Sequence, residues 1–202
     1  MTSQNWVSLI TPASSHGSGA GAVLNTATTA TLSPIIGAVA AGDVAQVNAE
    51  GFYQGWESGL QIRVRARGYI TTTGTSTTAT FLLATRLGNT GSTYITLATT
   101  AGFATGTGTL TGLPWQLDGE IRCTAVGTSG NTVSTQAMLW IQNSASPALA
   151  TANCVALGLP NASGETAAAV DTTSVQGLSL RGTLAGANAT IALTQWYVEA
   201  LS

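Results

Sequence analysis

Two segments alternate regularly between apolar and polar residues, and this alternation restricts the fold more than any other feature of the chain. Residues 60–70 place Leu60, Ile62, Val64, Ala66 and Ile70 on one parity. Residues 115–125 do the same with Trp115, Leu117, Ile121, Cys123 and Ala125. A period of two puts successive side chains on opposite faces of a β-strand. Each segment is therefore predicted to be a strand with one buried face and one polar face.

The composition favours an all-β domain. The chain has 202 residues, of which 24 are glycine and about a sixth are threonine. Threonine and valine suit pleated, half-buried strands, and glycine suits tight turns. Lysine is absent and only 7% of the residues are charged, so the charged helix formers are scarce. We predict a single antiparallel β-sandwich, jelly-roll-like, over residues 23–202.

Turn residues divide this domain into strands. Residues 60–87 are predicted to form a hairpin with its turn at Gly74, and residues 115–142 to form two further strands joined near Gly127–Asn131. Residues 189–201 change apolar parity, which a β-bulge near Thr194–Gln195 would reconcile.

Three further segments complete the prediction. Residues 23–35 are predicted to form a first strand, and residues 170–184 the strand before last. Residues 143–169 are predicted to form a loop with one strand at most.

Six of the 14 charged residues lie on the polar parity of the two alternating segments. Arg63, Arg65 and Arg67 share one strand face, and Asp118 and Glu120 share another. Opposite charges across a ladder contribute about 0.2–1 kcal/mol per pair. We therefore predict that the two segments are neighbouring strands whose arginines face the carboxylates.

Residues 1–22 are predicted to form an N-terminal arm or linker. A short apolar cluster precedes a Ser/Gly-rich stretch typical of a linker. The cluster contains Trp6, Val7, Leu9 and Ile10. It either contacts something outside its own domain or packs back on the domain as an edge strand.

The charge balance excludes several classes of protein. Six basic against eight acidic residues give a net charge of −2, which argues against nucleic-acid binding and against a polybasic membrane anchor. No apolar run approaches a membrane span, and no secretory signal is expected. A weakly charged surface tends to associate, so we expect an assembly.

Residues for common catalysis are scarce, and we predict no enzyme, no cofactor and no metal site. The one histidine, His16, lies in the linker, and Cys123 lies on the apolar parity with no histidine to act as its base. A Cys123–Cys154 pairing stays open. A glycan hydrolase needs only two carboxylates, so it is kept as a minor alternative. Its candidate residues are Glu50, Glu57, Asp118 and Glu120.

The aromatic residues divide into core and surface candidates. Trp115 and Trp196 lie among core-like residues, whereas Trp140 has the opposite parity to its apolar neighbours. Trp140 is therefore expected at a subunit interface or a groove. Tyr53 and Trp56 lie in a predicted loop and are further candidates for an exposed contact.

Three motifs together carry a resemblance to a known family. They are TTTGTSTT at 71–78, PWQLDGEIRC at 114–123 and VDTTSVQGLSL at 170–180, within matching stretches at 60–88, 106–141 and 168–201. This layout resembles small virion proteins of tailed bacteriophages, over about half of the chain. The motifs are structural rather than catalytic.

The resemblance implies a capsid decoration, or cement, protein with a jelly-roll-like fold. Such a protein would be made in the host cytoplasm and would bind the major capsid protein on the virion exterior as a homotrimer. Trp6, Val7, Leu9 and Ile10 are the expected capsid contacts. The main alternative is a head- or tail-fibre module that binds a receptor or carbohydrate, and a host lectin or cytokine-like trimer is a further one.

Overall fold

A computed structural model of the chain describes residues 6–10, 23–26, 28–32, 58–87, 93–142, 154–160, 165–174 and 176–201. Within these residues every regular element is a β-strand, and all of the pairings are antiparallel. The strands are β1 (Trp6–Ile10), β2 (Val23–Leu24), β3 (Thr29–Thr31), β4 (Gln61–Gly74), β5 (Thr78–Leu87), β6 (Tyr94–Thr99), β7 (Phe103–Ala104), β8 (Gly108–Cys123), β9 (Val133–Gln142), β10 (Cys154–Leu159), β11 (Thr166–Ala168), β12 (Gln176–Leu184) and β13 (Ala189–Leu201).

The strands form two sheets. Among the described residues, one sheet has the order β1-β13-β4-β8-β9-β10, with β2 also on β13 and β11 also on β9. The other has the order β3-β12-β5-β6, with β7 also on β5. Apolar side chains of both sheets form one core, in which the Phe81 ring of β5 lies 4.7 Å from the Trp115 ring of β8. The predicted all-β, antiparallel sandwich is confirmed.

The alternating segments behave as predicted. In β4 the residues from Ile62 to Thr72 alternate between buried and more exposed positions, and β8 does so from Leu113 to Cys123. Strands β8 and β9 pair directly as a hairpin. The register of β13 on β4 shifts between Leu193 and Gln195, which is the predicted bulge. Ile191 and Trp196 consequently both face the core.

The predicted 60–87 hairpin is wrong. Strand β4 ends at Gly74, as expected, but it pairs with β13 and β8, whereas β5 pairs with β12, β6 and β7 in the other sheet. Residues 75–77 therefore connect the two sheets. A short turn between two half-buried strands is compatible with either arrangement. In the structure the apolar residues of β4 and β5 are both buried in the core shared by the two sheets.

Three other segments also differ from the prediction. Residues 23–32 contain two short strands in different sheets, β2 and β3, instead of one. Residues 170–175 precede β12, which begins at Gln176. Within 143–169, where one strand at most was expected, β10 and β11 both pair with β9.

The N-terminal apolar cluster forms an edge strand. Backbone pairing runs from Trp6 opposite Ala200 to Ile10 opposite Trp196, so Val7 and Leu9 also belong to β1. This arrangement corresponds to the edge-strand alternative for the cluster. Residues 1–5 and 11–22 lie outside the described residues, and the boundary at residue 22 stays a prediction.

The two cysteines lie at opposite ends of β9. Cys123 is opposite Val133, and Cys154 is opposite Gln142. At about 3.3 Å per residue the two Cα atoms are roughly 30 Å apart, whereas a disulfide requires less than about 7 Å. This register excludes a disulfide between them within one chain. The Cys123 side chain is buried, as its parity predicted.

Candidate functional site

The outer face of the larger sheet carries the candidate residues. On this face the side chains of β13, β4, β8 and β9 line up in rows across the sheet. One row contains Gln195, Arg67, Gln116 and Trp140, and the next contains Tyr197, Arg65, Asp118 and Met138. Neighbouring strands are about 4.8 Å apart, so each row crosses about 14 Å of surface. We call the first of these rows the tryptophan row.

Asp118 joins two of the three arginines. The Arg65 Nε donates to Oδ2 of Asp118 at 3.1 Å, and the Arg63 Nε donates to Oδ1 at 3.4 Å. Arg65 is directly opposite Asp118, and Arg63 is opposite Glu120. The predicted pairing of the two strands is therefore confirmed, and so is the pairing of Arg63 and Arg65 with a carboxylate, whereas Arg67 has no carboxylate opposite it. The arginine side chains are about 40% exposed, so each pair stabilises the fold by no more than about 1 kcal/mol.

Arg67 differs from the other two arginines of β4. Its position is exposed, and its register partner is Gln116 rather than a carboxylate. Arg63 and Arg65 each form an ion pair with Asp118, whereas Arg67 forms no ion pair with any of the described residues. The outer face thus presents one uncompensated positive charge within the tryptophan row.

Trp140 is exposed on the same row. Leu139 and Ile141 are buried in the core, so alternation along β9 directs Trp140 outward, where it is 38% exposed. Its placement on the outward parity is as expected. Met138, two residues earlier on the same face, is exposed to the same extent.

Two depressions meet at Arg67. One, of about 600 Å³, is lined by residues that include Trp140, Gln116 and Gln142. The other, of about 280 Å³, is lined by residues that include Arg65, Gln195 and Tyr197. Together they form what we call the outer groove. Its larger part is shallow and open to solvent.

The β-bulge lies at the border of the outer groove. Thr194 is the extra residue of β13, and its hydroxyl donates to the Arg67 carbonyl oxygen at 3.0 Å. This bond holds the irregular part of β13 against β4. Bulges often occur beside binding sites, where they redirect side chains.

Most of the other candidate side chains lie outside the described part of the structure. Tyr53, Trp56, Glu50 and Glu57 lie outside the described residues, and so do the side chains of Trp6, Val7, Leu9 and Ile10. Both carboxylate oxygens of Asp118 accept bonds from arginines, which favours a cross-strand stabilising role over acid–base catalysis.

The VDTTSVQ motif forms a hydrogen-bonded turn before β12. Asp171 Oδ1 accepts bonds from the Thr173 amide at 3.0 Å and the Thr173 hydroxyl at 2.6 Å, and Oδ2 accepts from the Ser174 hydroxyl at 2.8 Å. The buried Gln176 donates to the Asp171 carbonyl oxygen at 2.8 Å. The motif is therefore explained by its structural role.

These bonds make stability depend on the charge of Asp171. The hydroxyls of Thr173 and Ser174 lower the pKa of the carboxyl from 3.8. Stability from a depressed carboxyl pKa is present above the unfolded-state pKa and is lost as pH falls through the folded-state pKa. We expect thermal unfolding measured from pH 6 to pH 2.5 to show a smaller acid-induced decrease in Tm for Asp171→Asn than for the wild type. A decrease in Tm for Asp171→Asn as steep as that of the wild type would show that the Asp171 carboxylate contributes no pH-dependent stability.

Comparison with known proteins gave no match to a protein-family model, to a curated protein or to a solved structure. In the described part of the chain, no three His, Cys, Asp or Glu side chains come together as a metal-binding group. The same residues contain no helix long and apolar enough to cross a membrane.

The sequence pattern found only part of this site. It singled out Trp140 but not Arg67, Gln116 or Gln195 as members of one groove. The alternation predicted that these side chains face outward, but it did not predict the strand order that aligns them in one row.

Proposed function

We propose that this chain is a structural virion protein of a tailed bacteriophage, which binds the outer surface of the capsid as a homotrimer and stabilises the shell. The main support is the position in the fold of the stretches that resemble phage virion proteins. The matching stretches 60–88, 106–141 and 168–201 contain β4, β5, β8, β12, β13 and all but the last residue of β9. These strands form the centre of both sheets. The resemblance therefore concerns the residues that build the sandwich.

The strand order supports the same proposal. In one sheet β2, β13, β4 and β8 are adjacent, and in the other β3, β12, β5 and β6 are adjacent. After β2 the chain changes sheet six times: from β2 to β3, β3 to β4, β4 to β5, β7 to β8, β11 to β12 and β12 to β13. We propose that this is a jelly roll in which β9, β10 and β11 extend one sheet. Jelly rolls recur in viral capsid proteins.

The proposed capsid contact is the N-terminal cluster of Trp6, Val7, Leu9 and Ile10. Strand β1 lies at the margin of the larger sheet, beside β13. An edge strand presents backbone groups that can pair with a strand of another protein. Three copies in a trimer would act together, so that contacts weak by themselves give high avidity.

Co-sedimentation tests this proposal. The native mass of the purified chain is measured first, and the protein is then mixed with undecorated capsids and pelleted. We expect a trimer that pellets at a fixed ratio to the major capsid protein. A chain lacking residues 1–12 should keep its β-sheet circular dichroism and stay in the supernatant. The full-length variant Trp140→Ala is the control and should pellet like the wild type.

Two results would contradict parts of the proposal. A folded monomer that remains in the supernatant would exclude the decoration function. Pelleting of the truncated chain at the wild-type ratio would exclude the N-terminal cluster as the capsid contact.

A further inference from the structure

The tryptophan row combines three kinds of chemistry on one surface. Trp140 contributes a partly exposed indole ring, Arg67 a positive charge, and Gln116 and Gln195 two primary amides. Amides both donate and accept hydrogen bonds, as hydroxyl groups do. An indole face packs well against the C–H-rich face of a sugar ring. This combination matches a saccharide better than an apolar ligand.

The positive charge in the outer groove restricts the class of ligand further, to ligands with an acidic group. The nearest carboxylate in the adjacent row, Asp118, is engaged by Arg63 and Arg65, so it does not neutralise Arg67. A planar guanidinium binds carboxylate and sulfate groups through paired hydrogen bonds. The net charge of −2 disfavours a long nucleic acid, whose phosphates require many basic residues.

We propose that the outer groove binds an acidic saccharide, with the sugar ring on Trp140 and its acidic group on Arg67. The amides of Gln116 and Gln195 hydrogen-bond to hydroxyls along the row. The groove crosses β13, β4, β8 and β9, so the backbone beneath it is held in one sheet before the ligand arrives. A preformed site avoids the entropy cost of ordering loops on binding. This inference does not depend on capsid decoration.

Calorimetric titration of the full-length chain tests the inference. The probes are hyaluronan oligosaccharides and oligosialic acid, with dextran oligosaccharides as the neutral comparison. We expect the acidic probes to bind, and to bind more weakly as salt is raised, because screening reduces the attraction to Arg67. Trp140→Ala and Arg67→Gln should each weaken this binding by about tenfold or more.

Matched controls separate the groove from the rest of the outer face. Met138→Ala removes a side chain of β9 that is exposed to the same 38% as Trp140. Arg63→Gln removes an arginine paired with Asp118. Both controls should bind the acidic probes within about twofold of the wild type. All four variants lie on the outer face, and circular dichroism checks their folding.

Three outcomes would overturn the inference. The first is no binding of either acidic probe by the folded wild-type chain, and the second is equal binding by Trp140→Ala. The third is a Trp140→Ala variant whose only defect is a lower native mass or reduced capsid pelleting, which would make the groove a protein contact. If the chain pellets with capsids but binds neither acidic probe, the proposed capsid function holds and only the saccharide inference is wrong.

Discussion

Gly68→Ala is expected to prevent the protein from folding. A Cβ atom at Gly68 would lie 1.9 Å from the Ala192 carbonyl oxygen and 2.6 Å from the nearest atom of the Trp115 ring. Neither neighbour can move easily, because Ala192 belongs to the β13 ladder and Trp115 is 2% exposed against Phe81. Overpacking a core costs about 1–3 kcal/mol when side chains can adjust. Contact with backbone should exceed that range.

The measurement is soluble yield together with β-sheet circular dichroism and thermal unfolding. Gly127→Ala is the matched control, since the nearest atoms to a Cβ there are 3.8 Å away and its backbone is not in the left-handed region. It should unfold within a few degrees of the wild type. A soluble Gly68→Ala protein with a wild-type Tm would show that β4, β8 and β13 do not pack as described.

Phe81→Ala is expected to cause the second-largest loss of stability. Phe81 is fully buried and connects the two sheets, with its ring 4.7 Å from the Trp115 ring and 6.1 Å from the Phe103 ring. Removing a buried phenylalanine side chain typically costs about 3–5 kcal/mol, because a cavity remains. Native domains are stable by only about 5–15 kcal/mol. Urea unfolding should therefore show a much lower midpoint.

Phe103→Ala is the control for this prediction. Phe103 stacks on Phe81 within the smaller sheet but is only partly buried. Its removal should cost clearly less than the removal of Phe81. Equal losses would mean that the contact between the sheets, through Phe81 and Trp115, is not a main source of stability.

Several features of this fold could be predicted from the sequence because they depend on local periodicity. The period of two in residues 60–70 and 115–125 assigned a face to each side chain. It therefore placed Trp115 in the core and the arginines and carboxylates on the polar face, and the parity of Trp140 relative to Leu139 and Ile141 placed Trp140 outside. The change of parity in residues 189–201 predicted the bulge at Thr194, since a β-strand can change parity only by inserting a residue.

The sequence predicted less well which strands pair with each other. The segment around Gly74 predicted a turn correctly, but it did not show that β5 crosses to the other sheet. Likewise, nothing in the 23–35 segment indicated that β2 and β3 would separate into different sheets. Turn chemistry specifies where a strand ends, whereas the choice between pairing and crossing depends on which distant strands cover each apolar face.

The ion pairs between β4 and β8 and the outer groove show the same difference between what the sequence predicts and what it does not. Complementary charges on residues 60–70 and 115–125 predicted one neighbour correctly, because opposite charges favour adjacent strands. No such pattern connected Arg67 to Gln195 or Trp140, which lie 128 and 73 positions away in the chain. The sequence by itself determined which residues face outward. Only the tertiary structure decided which of them meet, since strand order is set by burial of the whole core and not by any one segment.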